Sequence, residues 1–339
     1  MISEINSDYL ILFHSDFTLT LEEKSLIAKI RGLAGCAARP RGLVLGIGDD
    51  CAILRIPRGH AGLATSDFSL EGIHFRRQWH PPDVVGHRCL VRGLSDIAAM
   101  GGEPIAAFLS LALPRKLPQR WVDEFLAGFF QLANRFNVPL AGGDTAQSLG
   151  GILAHIVVVG SVPKGQAILR HGARPGHLIY VSGTLGGAAA TLDILRRHPQ
   201  RKLRPADFPT HFYPMPRVAL GRVLRQKRLA SAMIDVSDGL STDLAHICEE
   251  SGVGAEISAA AVPCGVDGDG QDIDLQFALH GGDDYELLFT AAPGKHVPAR
   301  IAGVPITQIG RMTRGRSRLL DQNGARRKFL PHGWQHFAR

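Results

Sequence analysis

Six short segments of this chain share one design, an apolar run that ends in small residues and aspartate. They are GIGDD (Asp49, Asp50), ATSD (Thr65, Ser66, Asp67), GLSD (Asp96), AGGDT (Asp144), IDVSDG (Asp235, Ser237, Asp238) and GGDDYE (Asp283, Asp284, Glu286). Taken singly, each reads as a turn or a helix cap, in which the aspartate side chain satisfies backbone amides. Taken together, with glycines that let a ligand approach the backbone, they suggest convergence on one site. The stretch IDVSDGLSTDL is the densest, with Asp235, Asp238 and Asp243 inside nine positions. Carboxylates this close repel unless a cation sits among them. At least two of the three are expected to hold that cation, whereas Asp243 falls inside a predicted helix and can be no more than a solvent-facing residue.

The elements between these segments are mixed. LEEKSLIAKIRGLAG (21–35), DVVGHRCLVRGLSDIAAMGG and QRWVDEFLAGFFQLANRF have helical spacing. LVLGIGDDCAILRI reads as strand, acidic turn and strand, and GLATSDFSLEGIHF as a short strand running into a loop. IAAFLSLAL, VPLAGGDT and ILAHIVVVGSV read as strands, and the last is expected to close a first domain. A second set follows: HLIYVSG, GGAAATLDILRR, PRVALGRVLRQKR, SAMIDVSDG, LSTDLAHICEESG, YELLFTA and VPITQIGRM. Strands and helices mix in both halves, which predicts an α/β (α+β mixed) class. With 339 residues the chain has room for two domains. The expected division is an N-terminal extension (1–20), an N-terminal α/β domain (21–162) and a C-terminal α/β domain (163–339).

Composition removes several classes. No apolar run approaches the ~18 residues of a membrane helix, and the N-terminus lacks the basic region of a secretory signal. Cys36, Cys51, Cys89, Cys248 and Cys264 show no CxxC spacing, which favours reduced thiols in the cytoplasm over a zinc site. The net charge is +7, with 13 Lys/Arg against two acids between Lys164 and Arg228. That basic stretch can be a solvated face or an anion-attracting field. It carries too few aromatics for a single-strand nucleic-acid binder, and the acidic set repels a phosphate backbone in the absence of metal.

Magnesium suits the acidic set. It is hard, prefers oxygen, and binds carboxylates together with substrate phosphates. Joining phosphate to phosphate brings two anions together, which metal ions can neutralise and orient. No Walker-type G-x-x-x-x-G-K-[ST] and no HRD or DFG occurs. SGTLGGAAATL (182–192) can offer amides to an anion or can serve close helix packing.

The motifs LGIGDDCAIL, TSDFSLEGIHF, LSDIAAMGG, AGGDT, DVSDGLSTDLAHI, GGDDYELLFT and terminal GWQHF occur in this order from about residue 21 onward. In that set the chain resembles the thiamine-monophosphate kinase family. The resemblance implies a two-domain aminoimidazole ribonucleotide synthetase-like fold, dimerised through the N-terminal domains. It implies direct transfer of the ATP γ-phosphoryl group to thiamine monophosphate with several Mg2+ ions and no phosphoenzyme. Carried over by motif, Asp50, Thr65, Ser66, Asp67, Asp96, Asp144, Asp235 and Asp238 are the implied metal-binding set. Gly143, Asp144, Arg170 and Ser237 are similar to ATP-contacting positions, and His74, Asp283 and Trp334 to substrate-side positions. Three departures stand out. Asp283 replaces a usual Glu, Ala146 a common second Thr, and Arg92–Gly93 a frequent Val–Asn.

Rivals within the fold fit less well. A selenophosphate synthetase would want a Lys near a reactive Cys, which GCAARP around Cys36 lacks. A hydrogenase-maturation protein would end in Cys, whereas this chain ends HFAR. A purine-pathway synthetase would not be expected to carry GGDDYELLFT with GWQHF. A non-catalytic nucleotide-binding protein would have no use for the intact acidic set.

Overall fold

The computed structural model of the chain describes residues 23–35, 42–321 and 324–334. The expected extension, Cys36 and the last three residues of GWQHF lie outside them. The N-terminal half runs α1 (Glu23–Gly35), β1 (Leu43–Leu45), β2 (Ile53–Leu54), β3 (His60–Leu70), α2 (Pro82–Ala99), β4 (Glu103–Pro114), α3 (Gln119–Phe136), β5 (Leu140–Ser148) and β6 (Leu153–Pro163). Strands β3, β6, β4 and β5 form one sheet in that spatial order. Only β4 and β5, joined through α3, are parallel.

Helix α3 shows why it lies on this sheet. Val122, Phe125, Leu126, Phe129, Leu132 and Ala133 recur at helical spacing and are buried as one stripe. Helix α2 is different, because it is buried nearly all round, from Val84 and Val85 through Cys89, Leu90 and Leu94 to Ile97 and Ala98. A helix buried on nearly every side needs neighbours on nearly every side. Glycines bring them close. A Cβ at Gly86 would sit 2.0 Å from the Phe125 carbonyl oxygen, and one at Gly128 would sit 1.9 Å from that of Asp83.

The C-terminal half supplies the remaining neighbours. It runs β7 (Leu178–Ser182), α4 (Gly187–Arg197), α5 (Pro209–Phe212), α6 (Val218–Gln226), β8 (Ala232–Asp235), α7 (Leu240–Ser251), β9 (Gly254–Ser258), α8 (Leu275–His280), β10 (Leu287–Ala291), β11 (Arg300–Ile301), β12 (Val304–Thr313), β13 (Arg318–Leu320) and β14 (Arg326–Lys328). The main path of its sheet is β14-β13-β9-β12-β7-β10-β8, with β11 paired to β12. Alternation sorts its side chains. Tyr180, Met233, Leu287 and Phe289 join the core shared with α2 and α6, while Ile179, Val181, Ile234 and Leu288 join the core under α7 and α8. Truncating Phe289 to Ala would cost about 3–5 kcal/mol. A proline-rich strap (residues 205–216) also grips α2. His87 Nε2 donates to the Pro214 carbonyl at 2.8 Å, and the Tyr213 hydroxyl donates to Asp83 at 2.5 Å.

The structure corrects the local reading of two acidic segments. Thr65–Asp67 lies in the middle of β3, not at a turn, because all 11 residues of β3 pair with β6 from His60↔Pro163 to Leu70↔Leu153. The continuous apolar β6 imposes that ladder on a segment whose own small residues suggested a break. Asp144 lies inside β5 rather than in a turn after it, while Asp96 lies inside α2, as the helical spacing of its segment predicts.

Candidate active site

Positions four apart on a helix share a face, and on α2 this places Arg88, Arg92 and Asp96 in one stripe. The stripe forms one wall of a cleft of about 790 Å³ between the two sheets. The other walls are the end of β3, the turn after β8, the 282–285 turn, the 72–80 loop and the start of α4.

At one end of the stripe the cleft is carboxylate-rich. Period-two alternation turns Thr65 and Asp67 toward α2, while Ser66 faces the other way, its hydroxyl 2.7 Å from His155 Nε2. The Thr65 hydroxyl donates to Asp96. Ser95, next along α2, donates to Asp235 Oδ2 at 2.7 Å and so ties the N-terminal helix to the end of β8. Burial and the neighbouring Asp67 charge push Asp96 up to about 6. Burial and Asp96 push Asp235 up to about 7. Asp67 is also raised, chiefly by burial, and its Oδ2 is buried without a hydrogen-bond partner.

Buried carboxylates that repel one another, one with an orphaned oxygen, fit a hard divalent cation. Among the described residues no three His, Cys, Asp or Glu side chains close on a single point. The acids are instead spread along the wall. That spacing suits ions that each take one or two carboxylates and fill their remaining positions with water and phosphate oxygen.

Asp243 is not solvent-facing, contrary to the sequence expectation. It is buried, and its Oδ2 accepts from the amides of Ser237, Asp238 and Gly239 at 3.0–3.2 Å. It therefore shapes the turn that presents Asp238.

The other end is arginine-rich. Arg88 Nη2 donates to Asp283 Oδ2 at 2.7 Å, and the Tyr285 hydroxyl donates to Asp283 Oδ1 at 2.6 Å. Arg92 Nη2 lies 3.4 Å from the same Oδ1. Burial alone would raise the Asp283 carboxyl, but Arg88, Arg92 and Tyr285 hold it well below the usual range. Behind this group the ring nitrogens Nε2 of His80 and His211 meet at 3.1 Å. His211 Nδ1 donates to the Ala188 carbonyl at 2.9 Å, so its Nε2 accepts from His80. Both rings are thus neutral. Burial and Arg88 lower both, His80 to about 4.

Beyond the charged stripe lie Ile73, Phe75, Trp79, Leu192 and Trp334, with the Arg76 guanidinium 4.9 Å above the Trp79 ring. His74 Nδ1 accepts from the Leu70 amide at 3.0 Å.

Of the residues expected from sequence, Ser66, Asp67, His74, Asp96, Arg170, Asp235, Ser237, Asp238, Asp283 and Trp334 line this cleft. Thr65 supports it through Asp96. Asp50, Gly143 and Asp144 do not line it. Asp50 is exposed on the bend after β1. Asp144 is exposed on β5, at the opposite sheet edge from β3, with Oδ1 accepting from the Thr145 amide. In GGDDYE only Asp283 faces the cleft as an acid. Asp284 accepts from the Gly186 amide at 2.8 Å, and Glu286 pairs with Arg217 and Ser182. The glycine-rich SGTLGG therefore serves packing, and a Cβ at Gly186 would sit 2.6 Å from the Ala278 nitrogen. Sequence reasoning missed Arg88, Arg92, Trp79, His80 and His211. The four-residue spacing of Arg88, Arg92 and Asp96 was a usable signal, whereas nothing marked His211 within its loop.

Comparison with known proteins identifies the family and the fold. Residues 48–162 match the family model for the N-terminal domain of AIR synthase related proteins, and residues 174–321 match its C-terminal domain. The chain is 40% identical over 280 residues to thiamine-monophosphate kinase of Escherichia coli K12, covering 79% of this chain and 84% of that protein. It is 38% identical over 311 residues to thiamine-monophosphate kinase of Salmonella typhimurium, covering 86% and 92%. Among solved structures, thiamine-monophosphate kinase from Stenotrophomonas maltophilia K279a superposes with a TM-score of 0.75 at 35% identity, covering 90% of this chain and 98% of that one. The structure described as AaThiL complexed with AMPPCP and TMP superposes with a TM-score of 0.73 at 30% identity, covering 96% and 100%. The hydrogenase maturation protein HypE of E. coli shares the fold at a TM-score of 0.71 and 18% identity, covering 91% and 97%.

Proposed function

Because the chain belongs to the thiamine-monophosphate kinase family, we propose that its cleft transfers the γ-phosphoryl group of ATP to thiamine monophosphate, giving thiamine diphosphate and ADP. The observation that carries this reading is one cleft with buried, mutually repelling carboxylates at one end and an arginine pair at the other. An oxygen of the acceptor phosphate forms the new bond to the γ-phosphorus while the bond to the β-bridging oxygen breaks, and ADP leaves. The transfer is direct. Cys89 is buried and its thiol is pushed up to about 12 by burial, which makes it a poor nucleophile.

Asp67, Asp96, Asp235 and Asp238 would hold Mg2+, with Thr65 and Ser66 contributing oxygen and Asp50 and Asp144 completing the set. Bound there, several Mg2+ ions would neutralise and align the polyphosphate. Arg170 and Ser237 lie on the nucleotide side, where a guanidinium can fork onto phosphate oxygens, and Gly143 and Asp144 belong to that side by motif. His74 and Trp334 lie on the thiamine side with the apolar end of the cleft. Asp283 acts there through the arginines it holds.

This reading divides the chain into an N-terminal domain to residue 162 and a C-terminal domain from 163. It also makes the protein a homodimer through the N-terminal sheet. The outer face of that sheet carries exposed Phe68 beside His155, and its edge strands are β3 and β5. Two copies that join at these edges would set Asp144 of one beside Asp67 of the other. The same reading places the protein in the cytoplasm, with no nucleic-acid or membrane partner. Cys51, Cys89, Cys248 and Cys264 are free thiols, and no described helix is long and apolar enough to cross a membrane.

The test is direct. Purified protein with ATP, Mg2+ and thiamine monophosphate should form thiamine diphosphate and ADP one to one. ADP release without thiamine diphosphate would overturn the reading.

A further inference from the structure

Arg92 occupies the middle of the α2 stripe, between Asp283 on one side and Asp67 and Asp96 on the other. Its side chain is 15% exposed and lines the cleft. A guanidinium has five N–H donors. Among the described residues this one makes a single long contact, 3.4 Å to Asp283 Oδ1, and its Nε is buried without a partner. Asp283 does not depend on it, since Arg88 at 2.7 Å and Tyr285 at 2.6 Å already serve both carboxylate oxygens. Two guanidinium groups thus face one carboxylate, which leaves one fixed positive charge at the wall. Burial works against that charge, but the surrounding Tyr285, Asp283 and Asp67 favour it, so Arg92 stays cationic.

We propose that Arg92 is a phosphate-recognition residue for the acceptor, a role that rests on the reading of this cleft as a thiamine-monophosphate kinase site. A planar fork with spare donors matches the oxygens of a phosphate monoester. An acceptor phosphate that approaches Asp67, Asp96 and Asp235 meets repulsion, and a non-dissociating cation within the same wall offsets part of it. The same charge repels the cationic thiazolium. It therefore sets the direction of the substrate, with the phosphate at the α2 stripe and the ring toward Ile73, Phe75 and Trp79. Asp283 accepts from Arg88 and Tyr285 and approaches Arg92, so it acts on the acceptor phosphate through the arginines it faces.

The test compares two ligands that differ only by the phosphate. Binding of thiamine monophosphate and of unphosphorylated thiamine is followed by the fluorescence of Trp79 and Trp334, without ATP or Mg2+, in wild type, Arg92→Val and Arg92→Lys. Thermal unfolding of each variant confirms folding. Arg92→Val should weaken thiamine monophosphate at least tenfold and leave thiamine within twofold, and Arg92→Lys should recover part of the loss. In turnover, KM for thiamine monophosphate should rise while KM for ATP stays within twofold. Equal weakening of both ligands would mark a purely structural role and overturn the proposal, as would unchanged binding of thiamine monophosphate. A wild type that does not prefer the phosphorylated ligand also overturns it, whereas absence of thiamine diphosphate formation by wild type overturns the functional reading itself.

Discussion

The two ends of the α2 stripe carry carboxylates in opposite electrical states. Asp235 is pushed up to about 7 by burial and by Asp96, while Asp283 is held well below the usual range by Arg88 and Arg92. Asp235 ends β8 and Asp283 lies in the turn that leads into β10, its pairing partner, so both face the cleft from the same side of one sheet. What differs is the partner that α2 sends to each. Toward Asp235 it sends the Ser95 hydroxyl, and toward Asp283 it sends guanidinium. One end is left short of positive charge and suits diffusible cations that arrive with phosphate. The other carries its own cations and stays formed without ligand. A phosphoryl-transfer site needs both, since metal neutralises the donor polyphosphate and a fixed cation can hold the acceptor.

The sharpest way to break this comparison is to neutralise one acid at each end. Asp235→Asn or Asp96→Asn should lower kcat by about 10²–10³, the scale of losing one electrostatic contact to the transferring group. Folding should survive, because an amide in place of either acid relieves a buried repulsion. Near-normal turnover at limiting Mg2+ in both variants would remove the metal role from this end. Asp283→Ala should behave in the opposite way and destabilise the protein by about 3 kcal/mol, because it strips the counter-ion from buried Arg88. Asp283 keeps 33% of its side chain exposed, so water offsets part of the cost. Urea unfolding of the two variants side by side decides the matter. Equal stability loss would mean the two ends are not electrically distinct.

This asymmetry was only half legible in the sequence. The acids were visible because an apolar run ending in small residues and aspartate recurs in six segments. Their settings were not. Thr65–Asp67 reads as a break, yet lies mid-strand because pairing with β6 across ninety residues of chain decides it. Asp243 reads as a surface residue of α7, yet its side chain turns back onto the preceding turn. Asp284 and Glu286 share a motif with Asp283 but point into packing. A strand alternates its faces, and only the folded sheet shows which face is the cleft. The arginine end was illegible for a related reason. Arg88 is defined by what it meets, the His211 carbonyl from a proline-rich strap more than a hundred residues later. The class of fold and the alternation of strands and helices were readable because they rest on local periodicity.

The strap offers a smaller test, by pH. His80 has a folded value near 4 against an ordinary value of 6.5, lowered first by burial and then by Arg88. Its stabilising contribution is present above pH 6.5 and is lost as pH falls toward 4, because only the unfolded chain takes up the proton in that window. The loss attributable to His80 should reach on the order of 3 kcal/mol. His80→Gln keeps a donor toward His211 without the titration. The stability difference between wild type and this variant should therefore swing against wild type below pH 6.5. A difference that stays flat from pH 7.5 to 4.5 would mean that the ring charges without cost. Since Arg88 bonds to the same strap, the arginine end of the cleft should loosen with it.

The last prediction concerns completeness. The arginine end is closed by residues of one chain, whereas the carboxylate end as proposed draws Asp144 from across the sheet edge of a second copy. If so, mixing inactive Asp144→Asn with inactive Asp96→Asn should restore activity. In a mixed dimer one cleft has both substitutions and the other has neither. With random exchange half of the dimers are mixed and one of their two sites works, so roughly a quarter of wild-type activity should return. Arg92→Val mixed with Asp96→Asn makes the contrast, since both changes fall in the same wall of a single chain. That pair should show no activity beyond the sum of its parts. Equal gains in both mixtures would mean that the gain comes from mixing itself and not from a shared cleft. Absence of recovery in the first mixture, with dimers shown by light scattering, would leave Asp144 outside the site altogether.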